Sequence, residues 1–400
     1  MKLYYGWVIV AVGVVVGCVG MGGLMSFGVF LLPMADSLGW SRAEISTGST
    51  LAFLSMGIGG FLWGRLYDRY GARVVVLFGG LLQGLGLVLA SQAQSLPWFL
   101  AAYGMVAGLA VGAVYVPLTA ATASWFTRHR SLAVSLVSAG LALGTTLIAP
   151  FARWLIVTHD WRFAMCALGL MAWAVIVPAA LLLRPVVIGE TTTAIVAERT
   201  DMTLAQALRT PVFWSLALAN FACCAAHSGP IFHMVSYAAE CGVAPLTAAT
   251  VLGAAGLAAL SGRIVCGLLA DRMGAKHTLV ACLALQAVAI ALYLPARDLS
   301  TLYAVSMLFG FSYGGAMPLY AILVREYFPA AIMGSVFGVV AMISTLGMAL
   351  GAPVGGWLFD HFRGYGWLYV ASSAIGVAAA LIAMTVRAHR VPTVAVSAAV

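Results

Sequence analysis

The side chains able to do chemistry here are few, and most lie in stretches that otherwise read as oil. Arg263 sits in a run that begins near Ala244 and carries no other charge before Asp271. Placing a guanidinium mid-helix in a bilayer costs at least ~2.5–3.5 kcal/mol on insertion scales, so it is expected to face a bundle interior or a wet cavity. Its natural chemistry there is to grip a carboxylate by two parallel N–H···O bonds. His227 and His233 stand with Asn220 in a second, largely apolar run, and His227 is followed closely by Gly229-Pro230, where a helix can open and free carbonyls. Histidine is the side chain type whose ordinary ionisation falls near neutral pH, so either could carry a proton. Tyr115, before Pro117, and Tyr313, before Pro318, each offer a ring and a hydroxyl suited to a small hydroxy or keto acid. Tyr320 is a weaker candidate. The competing structural readings are an arginine that snorkels to the surface, histidines bonded to backbone carbonyls, and tyrosines that only pack. His129, in a charged loop, reads as solvated.

Other chemistries are absent from the pattern. The seven cysteines, at 18, 166, 223, 224, 241, 266 and 282, form no CxxC pair and no His/Cys ligand spacing, so neither a disulfide nor a metal is expected. Thiols in apolar runs read as buried and inert. Glycine runs such as Gly20-x-Gly22-Gly23 and Gly104-x-x-x-Gly108-x-x-x-Gly112 are close-packing faces; no GK[ST] follows them, as a phosphate cradle would require. Methionine and tryptophan stripes read as core or lipid-facing. With no nucleophile–base constellation and no soluble output domain, an enzyme or a sensor is not expected, nor is any cofactor.

The elements that must position these residues follow from composition. Of 400 residues, 63% are hydrophobic and 8% charged, against about 25% charged in a soluble domain. Closed helices are the solution lipid imposes, because it offers backbone groups no partners; strand-like alternation is missing. A spanning helix needs ~20 apolar residues, and the sequence supplies twelve such runs: 7–34, 43–66, 73–93, 97–125, 131–157 and 162–184, then 211–238, 245–270, 277–296, 299–324, 331–358 and 366–387. The expected fold is therefore an all-α membrane protein of twelve transmembrane helices in two six-helix bundles, 1–184 and 211–387. A polar linker, 185–210, joins them, and 388–400 forms a tail. The first apolar run continues past a signal-peptide core without a convincing cleavage site, so a cleavable signal is not expected.

The formal charge of +8 is too sparse and loop-bound to read as a nucleic-acid surface; positive-inside topology explains it. With the N-terminus inside, fourteen Lys or Arg fall in inner loops and tails, five (Arg42, Arg153, Arg162, Arg297, Arg363) in outer loops, and Arg263 within the membrane. Both termini are then cytoplasmic, in the cell membrane. The halves also repeat. Gly64 to Arg73 (GRLYDRYGAR) answers Gly267 to Lys276 (GLLADRMGAK) at an offset of 203, which Gly39 and Gly242, and Pro150 and Pro353, share. Trp125-Phe126 answers Tyr327-Phe328 at 202. Such duplication puts a binding site near mid-membrane, between the halves.

At this point the residues resemble the major facilitator superfamily. The stretch Gly64-x-x-x-Asp68-Arg69-x-Gly71-x-Arg73 is similar to its signature loop, and the copy carrying Gly267, Asp271 and Arg272 strengthens the match. The resemblance implies a transporter in which this loop latches one access state, the role Asp68 would inherit. Physically, an Asp near a neighbouring helix N-terminus gains from the dipole, and glycines permit close helix approach. A narrower resemblance is to the monocarboxylate porters and oxalate:formate antiporters. It rests on Tyr5-Gly6-Trp7-Val8, on Trp125-Phe126-x-Arg128-His129-Arg130-x-Leu132-Ala133 with Ser138-Ala139-Gly140, and on Gly262-Arg263-x-x-x-Gly267-x-x-Ala270-Asp271.

That resemblance implies that Arg263 binds the substrate carboxylate, with Tyr115, Tyr313 and His233 at places comparable to ligand-side residues of bacterial relatives. Two departures stand out. The acidic residue that animal porters carry one turn before the arginine is Ala259 here, and the run 331–358 lacks the second base of the oxalate exchanger. One buried cation suits a monoanion. The expectation is a secondary transporter of a lactate- or pyruvate-like monocarboxylate by alternating access, coupled to protons, acting as a monomer. Anion exchange is the close rival, and export of hydrophobic or drug-like compounds a more distant one, since it needs no buried arginine.

Overall fold

The computed structural model describes residues 4–185 and 202–386. Lys2, most of the linker (including Glu190, Glu198, Arg199 and Asp201) and the tail with Arg387 and Arg390 lie outside the described residues. Among the described residues the chain is helical and contains no strand. The first half comprises α1 (Gly6–Met25), α2 (Leu31–Leu38), α3 (Arg42–Ser91), α4 (Leu96–Phe99), a π-helical segment (Leu100–Ala107) running into α5 (Gly108–Trp125), α6 (Arg130–Thr158) and α7 (Trp161–Leu181). After the short α8 (Leu204–Leu208), the second half comprises α9 (Pro211–Glu240), α10 (Pro245–Met273), α11 (Ala275–Leu292), α12 (Leu299–Tyr327), α13 (Met333–Phe362) and α14 (Gly366–Thr385).

Eleven of these helical stretches are long and apolar enough to cross a membrane, and one of them, Glu44–Ser91, holds 48 residues. At 1.5 Å per residue that is about 72 Å, more than twice a ~30 Å hydrocarbon core. It is two crossings joined at Gly71, whose φ of 79° and ψ of 171° break the helix. Twelve spans result, as the apolar runs predict. The first run differs from its expected form. A continuous helix over 7–34 is expected, but α1 stops at Met25, a 3-10 turn covers Ser26–Val29, and α2 restarts at Leu31. Pro33 has no N–H to continue the ladder, and Ser26 turns its hydroxyl back to the Gly22 carbonyl at 2.6 Å.

The repeat is physical as well as lexical. The positive-φ glycines among the described residues are Gly39, Gly71, Gly242 and Gly274, two pairs 203 positions apart. Each pair ends one helix and begins the next in the same way, a conformation that an L side chain resists. Buried Gln83 donates from Nε2 to the Gly20 carbonyl at 2.7 Å, tying the third span to the first. Gln286, 203 positions later, donates to the Cys223 carbonyl at 3.2 Å, and Gly20 and Cys223 are themselves 203 apart.

The aromatic opening of α1 meets the end of α5. Tyr4 and Trp7 pack on Phe126 with centroids 5.5 and 5.1 Å apart, and the Tyr4 hydroxyl bonds the Trp125 carbonyl. Two of the stretches that carry the narrower resemblance are therefore one cluster, at what is here termed the near end of the bundle. Arg162, assigned from sequence to an outer loop, donates to the carbonyl of Ser91, the last residue of α3, and to that of Ala93 just beyond it, at 2.8 Å each.

Candidate functional site

Both halves close on each other at the near end. Asp68, at the foot of the first arm of α3, accepts the backbone N–H groups of Gly334 (2.8 Å) and Ser335 (2.7 Å) and the Ser335 hydroxyl (2.5 Å). It thereby caps α13 of the opposite half, where unpaired amides and the helix dipole favour a negative charge. Asp271, at the foot of α10, does the same for α6, accepting from Ser131 N–H (2.9 Å) and Leu132 N–H (3.1 Å). The glycines let the backbones approach. A Cβ on Gly64 would strike the Gly334 carbonyl, one on Gly338 would come within 2.6 Å of the Gly60 carbonyl oxygen, and one on Gly267 would strike Ser135. Arg69, Arg73 and Arg272 of the same loops are exposed, with the Arg69 guanidinium 5.3 Å from the Tyr70 ring centre.

Above this closure lies a cavity of about 410 Å³ between the halves. Arg263 faces it from α10 rather than snorkelling to the surface. Its Nε donates to the Ser138 hydroxyl of α6 at 3.1 Å, and Nη1 to the carbonyl of Ala259, one turn earlier, at 3.3 Å. The guanidinium is thus held by a hydroxyl of the opposite half and a carbonyl of its own helix, and its remaining N–H groups can meet a ligand in the cavity. The position at 259, where an acid is absent, contributes only that carbonyl.

Asn220, His227, Tyr115 and Tyr313 line the same cavity. Buried His227 stacks on Tyr313 with centroids 5.1 Å apart and an interplanar angle of 24°, and Tyr115 leans on Phe337 at 5.6 Å. Asn220, Cys224, His227 and Ile231 share one face of α9, and all four border the cavity. Five of the six expected substrate-side residues are therefore brought together. His233 is not among them; it packs beside Gly355 and against Tyr365, with ring centroids 5.2 Å apart. Tyr320 is a core residue whose hydroxyl meets the Ala219 carbonyl at 3.2 Å.

Sequence reading missed Ser138 as a partner of Arg263, although it lies in one of the family-like stretches. It also took methionines for core or lipid-facing residues, whereas Met21, Met25, Met56, Met317 and Met348 border the cavity. No group of three or more His, Cys, Asp or Glu side chains that could hold a metal occurs among the described residues, and the cavity wall has no metal-ligand set.

Comparison with known proteins agrees with this architecture. The family model described as "Major Facilitator Superfamily" matches residues 12–275 and 228–399. Monocarboxylate transporter 13 of Bos taurus is 28% identical over 383 residues, covering 95% of this chain and 89% of that one. Monocarboxylate transporter 11 of Homo sapiens is 29% identical over 375 residues, covering 89% and 78%. Among solved structures, the transporter FucP in the outward conformation superposes with a TM-score of 0.78 at 13% identity, covering 95% of this chain and 98% of its own, a likeness of fold alone. The duplicated helices, the paired aspartate caps and the match along nearly the whole chain lead to one assignment: the chain belongs to the Major Facilitator Superfamily, as a multi-pass membrane transporter that resembles the monocarboxylate porters.

Proposed function

We propose that this transporter carries a small organic monocarboxylate, lactate- or pyruvate-like in its charged head, by alternating access and together with a proton. The observation that supports the reading is Arg263, facing a central cavity and bonded across the two halves to Ser138. A carboxylate entering the cavity meets the fork of the guanidinium and neutralises it. Tyr115 and Tyr313 present hydroxyls to an α-oxygen, and His227, stacked on Tyr313, is the proton carrier. The loaded site crosses the closed state more easily than a bare arginine, because an unpaired buried charge is the costly species. Reorientation is thereby tied to loading.

In this reading both termini are cytoplasmic, residues 1–184 and 211–387 rock as units around the central site, and the protein works as a monomer. The closed near end is then the cytoplasmic one, and the state described faces outward. Exchange of two anions is the second reading, favoured by the same single cation, since an empty site would turn over slowly.

Counterflow of labelled lactate or pyruvate in proteoliposomes, with Arg263→Gln beside the parent, tests the proposal. Loss of counterflow in the variant is expected. Undiminished counterflow would remove the carboxylate clamp and reopen export of neutral hydrophobic compounds.

A further inference from the structure

The two seams where the halves meet descend from one repeat, yet they are lined differently. On one side Gly57, Gly60 and Gly64 of α3 face Thr345, Gly338 and Gly334 of α13. A Cβ on Gly64 would strike the Gly334 carbonyl, one on Gly338 would lie 2.6 Å from the Gly60 carbonyl oxygen, and one on Gly57 would lie 3.3 Å from Thr345 Cβ. On the other side Arg263, Gly267 and Asp271, spaced four apart along α10, face Ser138, Ser135 and Ser131 of α6. The offset of 203 pairs Arg263 with Gly60, Ser131 with Gly334, Ser135 with Gly338 and Ser138 with Ala341. At all four places a polar side chain of the α6–α10 seam is answered by glycine or alanine. At the aspartate caps the order reverses: Ser335, whose hydroxyl donates to Asp68, answers Leu132, which has none to give. Ser135 is fully buried, its hydroxyl stands where a Cβ of Gly267 would go, and it has no hydrogen-bond partner among the described residues.

We infer that the near end opens as a wedge, widest between α6 and α10, and that the substrate leaves past Ser135. The Gly60–Gly338 and Gly57–Thr345 layers stay packed and act as the pivot, while both aspartate caps and the Gly64–Gly334 layer next to them part. The inference rests on the alternating access proposed above and says which seam carries the traffic. Close backbone contact between small residues is a strong form of helix association in lipid. Parting it forfeits dispersion contacts and offers water few side chains to bind. The α6–α10 seam has the opposite balance. A buried hydroxyl without a partner is costly, so Ser135 favours the state in which water or substrate reaches it. Ser138, Ser135 and Ser131 span seven residues, about 10 Å of α6, from the guanidinium to the Asp271 cap. Hydroxyls at these steps can donate to a departing carboxylate, so the anion does not pass from Arg263 straight into an apolar gap.

Double electron–electron resonance on the spin-labelled full chain in lipid nanodiscs tests this. One label pair sits at Thr127 and Met273, by the near ends of α6 and α10. The other sits at their counterparts Ala330 and Tyr70, 203 positions away, and all four residues are exposed. Each pair is changed to cysteine in a chain whose half-buried native thiols, Cys18, Cys166 and Cys241, are changed to serine. Asp68→Asn with Asp271→Asn weakens both caps alike and is expected to add a longer distance at each pair. The lengthening is expected to be at least about twofold greater at Thr127/Met273, the pair farther from the pivot. Adding Ser135→Ala relieves the shut state of its unpaired hydroxyl and is expected to cut the ratio of long to short distances at least ~5-fold. Equal lengthening, greater lengthening at Tyr70/Ala330, no lengthening at either pair, or a ratio that Ser135→Ala leaves unchanged each overturns the inference. The distances are read without ligand, so undiminished counterflow in Arg263→Gln would remove the carboxylate reading and leave this result standing, and the reverse also holds.

Discussion

Asp68 and Asp271, 203 positions apart, each reach into the opposite half and take two backbone N–H groups from the first turn of a helix there. The receiving residues, Gly334-Ser335 and Ser131-Leu132, are also 203 apart, so the two caps are one contact made twice. Full loss of a helix cap costs roughly 0.5–2 kcal/mol; an Asn keeps one acceptor oxygen but no charge, so part of that is at stake here. Asp68→Asn and Asp271→Asn are each expected to lower the thermal stability of the purified protein. Asp68→Asn is expected to have the larger effect, since it also weakens the Ser335 hydroxyl bond. Differential scanning fluorimetry of the two single variants checks the order.

Gly64 faces the Gly334 carbonyl with no room for a methyl group. Overpacking a tight contact typically costs ~1–3 kcal/mol, and here that cost falls only on the state in which the near end is shut. Gly64→Ala is therefore expected to slow transport while leaving the folded protein intact. Counterflow per folded protein should fall in the Gly64→Ala variant while its melting profile holds; undiminished counterflow would show that the helices have room to spare.

Arg263→Lys keeps the charge and loses the planar fork. Two parallel bonds become one point contact, and the Nε–H donated to Ser138 disappears. A drop of at least ~10-fold in carboxylate affinity is expected, with Arg263→Gln lower still. Ser138→Ala is expected to fall between the parent and Arg263→Lys. Affinities from one titration series rank the four proteins.

If His227 carries the proton, His227→Gln separates the coupled and exchange modes. Uptake driven by an imposed pH gradient is expected to disappear, while exchange of internal for external acid continues. Gradient-driven uptake that survives in His227→Gln assigns the proton elsewhere.

Gln83 and Gln286 make the same tie, yet they are not equally satisfied. Gln286 Oε1 receives the Cys223 thiol at 3.5 Å, whereas Gln83 Oε1 has no hydrogen-bond partner among the described residues. A net hydrogen bond is worth ~0.5–1.5 kcal/mol, and the exchange for methionine removes two at Gln286 but one at Gln83. Gln286→Met is expected to lower the melting temperature more than Gln83→Met.

Much of this was legible in the residues. Apolar run lengths reported the spans, and the DR-G repeat reported the duplication. A lone arginine in a greasy run pointed to the central cavity that Arg263 faces, because lipid makes such a charge expensive wherever it is idle. Less legible was which side of each helix faces inward, since helices apolar all round carry little directional pattern. That is why nothing in the sequence separates the cavity-lining Met21, Met56 and Met348 from core or lipid-facing methionines. His227 and His233 show the point within one helix. Six residues at about 100° each turn through roughly 600°, which puts the two rings on different faces, and only His227 borders the cavity. Asn220 and His227, seven apart, do share a face. The Ser138 contact was out of reach because it depends on how two distant halves meet.

Gly60 stands 203 positions before Arg263, at the matching place on the other half, where it packs near Val116 and the Gly338 carbonyl. The ancestral twofold frame thus holds charge on one side only. A guanidinium at both places would suit a dianion or two separate ligands; with hydrogen opposite, the proposed carboxylate reading has one cationic seat, set off the pseudo-axis. In that proposal the empty position matters as much as the occupied one.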